Sequence, residues 1–137
     1  MPPTDPPMPT DAELSILRVL WTRGASTVRD VHDRLDRDEP IGYTTVLKLL
    51  QIMLEKELVT RDESQRAHMY TANVSEPMTQ RRLVDDLMER AFGGSAQQLV
   101  MQALGGSNVS DEELDAIRTL LDNLDAQTDD DVSGNDA

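Results

Sequence analysis

The chain has 137 residues, of which 38% are hydrophobic but only 3% are aromatic, and it contains no cysteine. This length suits one compact domain, or a small domain with an oligomerisation arm, built around an aliphatic core. Without cysteine, a disulfide framework, a thiol nucleophile and a thiolate metal site are all excluded.

The N-terminal segment MPPTDPPMPT has neither the basic nor the hydrophobic region of a secretion signal. No apolar run approaches the roughly 20 residues that a membrane-spanning helix needs. We therefore expect a soluble, cytoplasmic protein that does not insert into a membrane.

The formal net charge of −13 is distributed unevenly along the chain. Residues 1–73 hold 9 Lys and Arg against 12 Asp and Glu, whereas residues 74–137 hold 4 against 14. Contact with phosphate needs only a locally positive face, which the nearly balanced first half could still present. Long-range attraction to nucleic acid is expected to be weak.

The first half begins with a proline-rich segment, residues 1–9, which we expect to be disordered. Thr10 and Glu13 form a capping box at the start of a first helix that ends at Gly24, and Thr27 with Asp30 begins a second that ends before Pro40. The predicted inner faces of these two helices carry Leu14, Leu17, Leu20, Trp21, Val28, Val31 and Leu35.

The segment from Ile41 to Tyr70 is the most informative, because it predicts a helix that leads into a two-stranded hairpin. One side of the helix is polar and the opposite side is apolar: Thr44, Lys48, Gln51 and Glu55 against Val46, Leu49, Leu50 and Met53. Residues 58–60 and 68–70 have strand-like composition, with a polar tip at residues 62–65. Together these elements predict a winged helix-turn-helix over residues 10–73.

Three further helices are predicted in residues 74–125, each with a serine at its start: Ser75, Ser95 and Ser110. Gly93-Gly94 and Gly105-Gly106 separate them. The acidic tail, residues 126–137, is expected to be disordered. The fold class is therefore mainly α with a small β-hairpin, a winged helix followed by a helical dimerisation region.

The run GYTTVLKLLQIMLEKELVTR, followed by RAHMY, resembles the winged-helix domain of penicillinase-type repressors, the BlaI/MecI/CopY family. LSILRVLW at residues 14–21 and STVRDVHDRL at 26–35 are similar to the same domain. FGGSAQQLV at 92–100 and VSDEELDAIRTLLDNL at 109–124 resemble the family's C-terminal dimerisation region. The resemblance, over about residues 10–125, implies a homodimeric transcriptional repressor that binds an inverted-repeat operator in double-stranded DNA.

The third helix and the hairpin carry the candidate DNA contacts: Tyr43, Thr44, Thr45, Lys48, Gln51, Arg61, Arg66 and His68. Threonine can meet a thymine methyl group, lysine serves guanine or phosphate, and glutamine can pair bidentately with adenine. The alternative is a solvated helix face beside a polar hairpin. The sequence departs from the family pattern at Ile52, where a basic residue is common, and at Glu57, where glycine often ends the helix.

The apolar residues of the C-terminal helices cannot all be buried against one small winged helix, so pairing with a second copy is expected. The candidate dimerisation residues are Leu83, Leu87, Phe92, Leu99, Val100, Leu114, Ile117, Leu121 and Leu124. A helical subdomain formed within one chain is the alternative.

The resemblance also implies a candidate regulatory cleavage site at Gln102-Ala103, which correspond to the family's Asn-Phe pair, and a membrane sensor protease as a further partner. A protease pocket shaped for phenylalanine gains little from alanine. We therefore expect either a protease of different specificity or release by another signal.

No enzyme is indicated, because the carboxylates lie in solvated runs or at helix starts and no nucleophile with a matching base stands out. His32 and His68 are the two histidines and no paired ligand spacing accompanies them, so neither a metal site nor a cofactor is expected. The functional alternative to a repressor is a winged helix that binds another protein through its acidic surface, without sequence-specific DNA binding.

Overall fold

The computed structural model describes residues 6–35, 41–106 and 108–135, with side chains up to residue 128. The elements within these ranges are α1 (Asp11–Arg23), α2 (Val28–Arg34), α3 (Tyr43–Glu55), β1 (Val59–Asp62), β2 (Met69–Ala72), α4 (Glu76–Phe92), α5 (Ala96–Gly105) and α6 (Asp111–Asn135). This order confirms the predicted mainly-α chain with one antiparallel hairpin. None of these helices has the length and apolar composition needed to span a membrane.

The helix starts follow the predicted capping residues. Thr10 and Thr27 each accept a hydrogen bond from the third helical residue, whose own carboxylate accepts one from the capping residue's N–H. The Ser75, Ser95 and Ser110 hydroxyls accept from backbone N–H groups three residues on, at 3.2, 3.1 and 3.1 Å. These caps satisfy donors that a helix start leaves unpaired.

A mainly aliphatic core holds α1, α2, α3 and the hairpin together. Its buried members are Ile16, Leu17, Leu20, Val28, Val31, Val46, Leu50, Met53, Leu58, Val59 and Tyr70. The predicted inner positions Leu14, Trp21, Leu35 and Leu49 are only half-buried. The inner face of α1 is instead centred on Ile16, which the periodicity did not single out.

The hairpin strands begin one residue and end two residues later than the sequence predicted. β1 pairs with β2 from Val59 opposite Ala72 to Asp62 opposite Met69, so the connection includes His68, which was expected in a strand. Ser26 and Tyr70 exchange two backbone hydrogen bonds, at 2.9 and 2.8 Å. This bridge attaches the hairpin to the connection between α1 and α2.

The end of α3 turns into β1 through a left-handed residue. Glu57 has φ of 64°, its N–H bonds to the Leu54 carbonyl at 3.1 Å, and the Leu58 N–H bonds to the Met53 carbonyl at 2.9 Å. This is the Schellman arrangement, in which glycine normally occupies the left-handed position. Glu57 therefore replaces the family's common glycine at a position whose left-handed conformation favours glycine.

A buried ion pair joins the same end of α3 to the start of α1. The Lys56 ammonium donates to both Glu13 carboxylate oxygens, at 3.0 and 2.9 Å, and the Glu13 side chain is only 2% exposed. Burial alone would raise the pKa of Glu13, but hydrogen bonds from Thr10 and Lys56 outweigh it and hold the pKa below its ordinary value.

The chain divides into two compact units, with Leu87 the last residue of the first and Met88 the first of the second, within α4. The sequence placed the division near residue 74. In the first unit, the Trp21 indole donates to the Val74 carbonyl at 2.9 Å, and Arg82 donates to the Pro6 carbonyl at 2.9 Å. The start of α4 is thereby attached to the winged helix.

The last helix extends beyond its predicted end. The sequence indicated a disordered tail from residue 126, but α6 continues to Asn135. No proline or glycine interrupts residues 111–133, so nothing in the backbone chemistry stops the helix before Gly134. Residues 1–5, 136 and 137, which the sequence predicted to be disordered, lie outside the described residues.

Substituting glycine for Glu57 should stabilise the protein. A left-handed residue with a side chain costs about 1–2 kcal/mol, and glycine's greater freedom in the unfolded chain offsets about 0.5–1 kcal/mol of that gain. We expect Glu57→Gly to raise the free energy of unfolding in urea by up to about 1 kcal/mol. Glu55→Gly, the same exchange in right-handed helix, should lower it by about 1 kcal/mol. Destabilisation by both variants would contradict this account of Glu57.

Removing the ammonium of Lys56 should destabilise the fold, because it leaves a buried carboxylate unpaired. We expect Lys56→Met to lower the free energy of unfolding by about 1–3 kcal/mol at neutral pH. The loss is smaller than for a fully buried ion pair because Lys56 itself is partly exposed. The control variant Lys48→Met, on the exposed face of the same helix, should leave the free energy of unfolding almost unchanged.

The pH dependence of unfolding gives a second test of this ion pair. Since the folded-state pKa of Glu13 is lowered, its contribution is complete above the ordinary value of 4.5 and is lost as the pH falls through the lowered value. In Lys56→Met the free energy of unfolding should therefore fall less steeply as the pH is lowered. If it fell in parallel with that of the wild type, the role of the ion pair would be contradicted.

Candidate nucleic-acid interface

The polar stripe of α3 lies fully on the surface. Thr44, Lys48 and Gln51, at spacings of four and three residues, are exposed, as is the neighbouring Thr45. Val46, Leu50 and Met53 anchor the opposite side of the helix in the core. The predicted reading residues therefore project from one rigid helix face, as a recognition helix in a major groove requires.

The start of α3 is open to an anion. Its N-cap is Gly42, which offers no side-chain acceptor, and its first turn contains no acidic residue. The first backbone N–H groups of a helix are unpaired and carry partial positive charge, which favours phosphate. Glu55, the acidic residue of the polar stripe of α3, lies at the far end of the helix.

An open groove of about 440 Å³ runs between α2, the start of α3 and the hairpin. Its lining residues are Thr27, Val28, Arg29, Tyr43, Leu47, Arg66, Ala67, His68 and Tyr70. The structure thus brings Tyr43 of α3 beside Arg66 and His68 of the hairpin. Among the described residues, this lining includes Arg29, Arg66 and His68 and no carboxylate.

Tyr43 is also the centre of a small cluster with α2. The Arg29 guanidinium carbon lies 5.4 Å from the centroid of the Tyr43 ring, within the range of a cation–π interaction. His32 meets the same ring edge-on, with centroids 6.2 Å apart. Nothing in the sequence indicated that Arg29 and His32 of the second helix lie beside Tyr43.

Arg61 is less available than the other candidates. Its guanidinium forms an ion pair with Glu63, and its side chain is only 25% exposed. Hydrogen bonding to Tyr70, together with Glu63, raises the pKa of Arg61. Arg61 is therefore held within the hairpin and does not line the groove with Arg66 and His68.

The candidate dimerisation residues are half-buried or exposed. Leu83, Phe92, Leu99, Leu114 and Ile117 are half-buried, and Leu87, Val100, Leu121 and Leu124 are exposed. Among the described side chains from Met88 to Thr128, none is buried. Gln102 and Ala103 are exposed on α5. The described residues include no group of three or more His, Asp or Glu that could hold a metal ion.

The helix order, the hairpin and the exposed polar face of α3 define a winged helix-turn-helix of the DNA-binding class. The family model for the penicillinase repressor matches residues 9–123. This chain belongs to the penicillinase repressor family, and it is a DNA-binding transcriptional repressor rather than an enzyme.

Individual relatives agree with this assignment. The transcriptional regulator BlaI of Mycobacterium tuberculosis is 32% identical over 118 residues, which cover 85% of this chain and 84% of the relative. The penicillinase repressor of Bacillus licheniformis is 22% identical over 116 residues, covering 85% of this chain and 91% of the relative.

A solved structure resembles part of the chain. The solution structure of monomeric Bacillus licheniformis BlaI in complex with the blaP half-operator aligns with a TM-score of 0.46 and 24% identity, over 53% of this chain and 88% of that one.

Proposed function

We propose that this repressor acts as a homodimer in the cytoplasm and reads an inverted-repeat operator by placing α3 of each subunit in the major groove. The observation that carries the proposal is the exposed stripe of Thr44, Lys48 and Gln51 on a helix whose other side is anchored in the core. Side chains on a rigid helix keep the register that base reading requires.

In this proposal the candidate residues of α3 divide between base contacts and backbone contacts. Gln51 contacts a base edge, Thr44 and Thr45 contact thymine methyl groups or phosphate, and Lys48 serves guanine or phosphate. Tyr43 contacts the backbone at the helix start. In the hairpin, Arg66 and His68 contact phosphate or the minor groove, whereas Arg61 mainly maintains the shape of the hairpin through Glu63.

The proposed dimer is supported by the state of the C-terminal helices. α5 and α6 carry apolar residues at helical spacing, yet none of the described side chains in residues 88–128 is buried. Leu121 and Leu124 are 55% and 49% exposed. Because such a surface is costly in water, a second copy of the same helices is the partner that best fits it.

The acidic charge is compatible with this arrangement. It is concentrated in residues 74–137, whereas the proposed reader belongs to the nearly balanced first half. Two subunits linked at their C-terminal regions would bind two half-sites about one helical turn or a multiple apart. The linkage raises the effective concentration of the second reader and thereby the affinity.

Substitutions on α3 test base reading. Gln51→Ala should relax the preference at one base pair by roughly 1–3 kcal/mol, because it removes a bidentate contact. Lys48→Ala should weaken binding to all sequences and lower the salt slope by about 1 if Lys48 contacts phosphate. Competition binding with an operator selected from random duplexes measures both effects. Gln80→Ala, at an exposed position of α4, is the control. If both α3 variants bound like the wild type, α3 would not be the element that reads the bases.

A charge on the apolar face of α6 tests whether this helix forms the dimer interface. Leu121→Asp should abolish the dimer and reduce operator affinity, because an unpaired carboxylate in an apolar interface is strongly unfavourable. Asn123→Asp adds the same charge to the polar side of α6 and should leave the dimer intact. Sedimentation velocity reports the assembly, and circular dichroism checks that the winged helix stays folded. A wild-type monomer at micromolar concentration would overturn the proposed homodimer.

Proteolysis by a membrane sensor protease is one proposed route of release. The candidate bond lies between Gln102 and Ala103, exposed on α5, and cutting there requires local unwinding of that helix. One cut would remove α6 from the dimer and separate the two readers. Mass spectrometry of the protein from induced cells should then show cleavage between Met101 and Leu104. Intact protein in fully derepressed cells would indicate release by another signal.

A further inference from the structure

We propose that the groove between α2, α3 and the hairpin holds one phosphodiester unit of the DNA backbone, and that Arg29 is the contact which α2 contributes to it. This inference rests on the proposed DNA reading by α3. It adds a subsite and a residue outside the reading helix and the hairpin.

The charge of the groove is the first observation. The chain has 26 acidic residues against 13 basic ones, yet the described residues that line this groove include Arg29, Arg66 and His68 and no carboxylate. A cationic recess on a strongly acidic protein favours an anion locally, even where the long-range field does not.

The arrangement of the groove indicates what kind of anion fits. Its charged side chains come from α2 and the hairpin, while the aliphatic part of the lining comes from Val28, Leu47 and Ala67. A backbone unit of DNA has both characters, with an anionic phosphate and a largely apolar sugar face. The phosphate would lie against the arginines and the sugar against the aliphatic side chains.

The geometry of Arg29 prepares it for this contact. Its guanidinium lies 5.4 Å from the centroid of the Tyr43 ring, while the residue itself stays exposed. A cation–π contact with an aromatic ring restricts the guanidinium, whose N–H donors suit bidentate contact with phosphate oxygens. Lysine cannot reproduce this arrangement, since its ammonium is a point charge on a flexible stem.

The position of the groove links this contact to base reading. Tyr43 is the first residue of α3, and Lys48 and Gln51 follow one and two turns later. A phosphate fixed beside Tyr43 would therefore set how far along the major groove the reading residues lie. Arg29 is in this sense a positioning residue for Gln51.

Salt-dependent binding of the full-length protein to the selected operator and to a shuffled duplex tests the inference. Arg29→Ala should weaken both by about tenfold and reduce the salt slope by about 0.9 for each bound subunit. Arg29→Lys should restore the slope but only part of the affinity. Arg18→Ala, an exposed arginine of α1 outside the groove, is the matched control and should bind like the wild type.

Replacing single operator phosphates by neutral methylphosphonates identifies the partner of Arg29. In the wild type several positions per half-site should be sensitive, and Arg29→Ala should reduce the sensitivity at one of them alone, because the two changes remove the same contact. If Arg29→Ala behaves like Arg18→Ala while the wild type binds its operator, the groove inference is wrong and the proposed function stands. If the wild type fails to prefer its operator, the proposed function itself fails.

Competition with free phosphate tests whether the groove instead binds a small phosphorylated ligand. Inorganic phosphate and chloride at matched ionic strength should compete equally weakly with the operator, because the groove recognises a sugar-linked phosphate. Selective displacement by inorganic phosphate, lost in Arg29→Ala, would instead identify a site for a small phosphorylated ligand and overturn the backbone assignment.

Discussion

The turn at the end of α3 is the constraint on which the proposed interface depends. Lys56 reaches the buried Glu13 carboxylate, and the next residue, Glu57, takes a left-handed conformation that directs the chain into β1. One turn therefore fixes α3 relative to α1 on one side and to the hairpin on the other. A recognition helix that could rotate against its hairpin would lose the alignment between base and backbone contacts.

Recognition of DNA by so acidic a protein becomes understandable at the level of individual side chains. The exposed face of α3 is neutral or basic up to Gln51, its first turn is free of acid, and the adjoining groove is lined by arginine and histidine. The acid lies largely in the second half of the chain. Affinity in such a design depends on close contacts and on two linked readers more than on long-range attraction.

The features predicted successfully from sequence are local ones. Thr10 with Glu13 and Thr27 with Asp30 cap their helices through contacts three residues apart, and the polar and apolar sides of α3 follow from its own periodicity. The features that were missed depend on tertiary structure. Lys56 and Glu13 are 43 residues apart, and no local pattern predicts their pairing. Arg29 meets Tyr43 only because α2 and α3 pack together, and Arg61 loses its availability to Glu63 within the folded hairpin. α6 extends to Asn135 because no proline or glycine interrupts residues 111–133, although the acidic composition of this segment favours disorder.

The most direct test of the central claim, that the α3 face reads sequence, is a titration of the wild-type protein. It compares a duplex selected from a random pool with a shuffled duplex of equal length, at about 50 and 200 mM salt. Base reading by α3 requires tighter binding to the selected duplex at both concentrations, with the preference retained as the shared electrostatic part weakens. Equal affinities that fall in parallel with salt would contradict it, because phosphate contact alone would then account for all the binding.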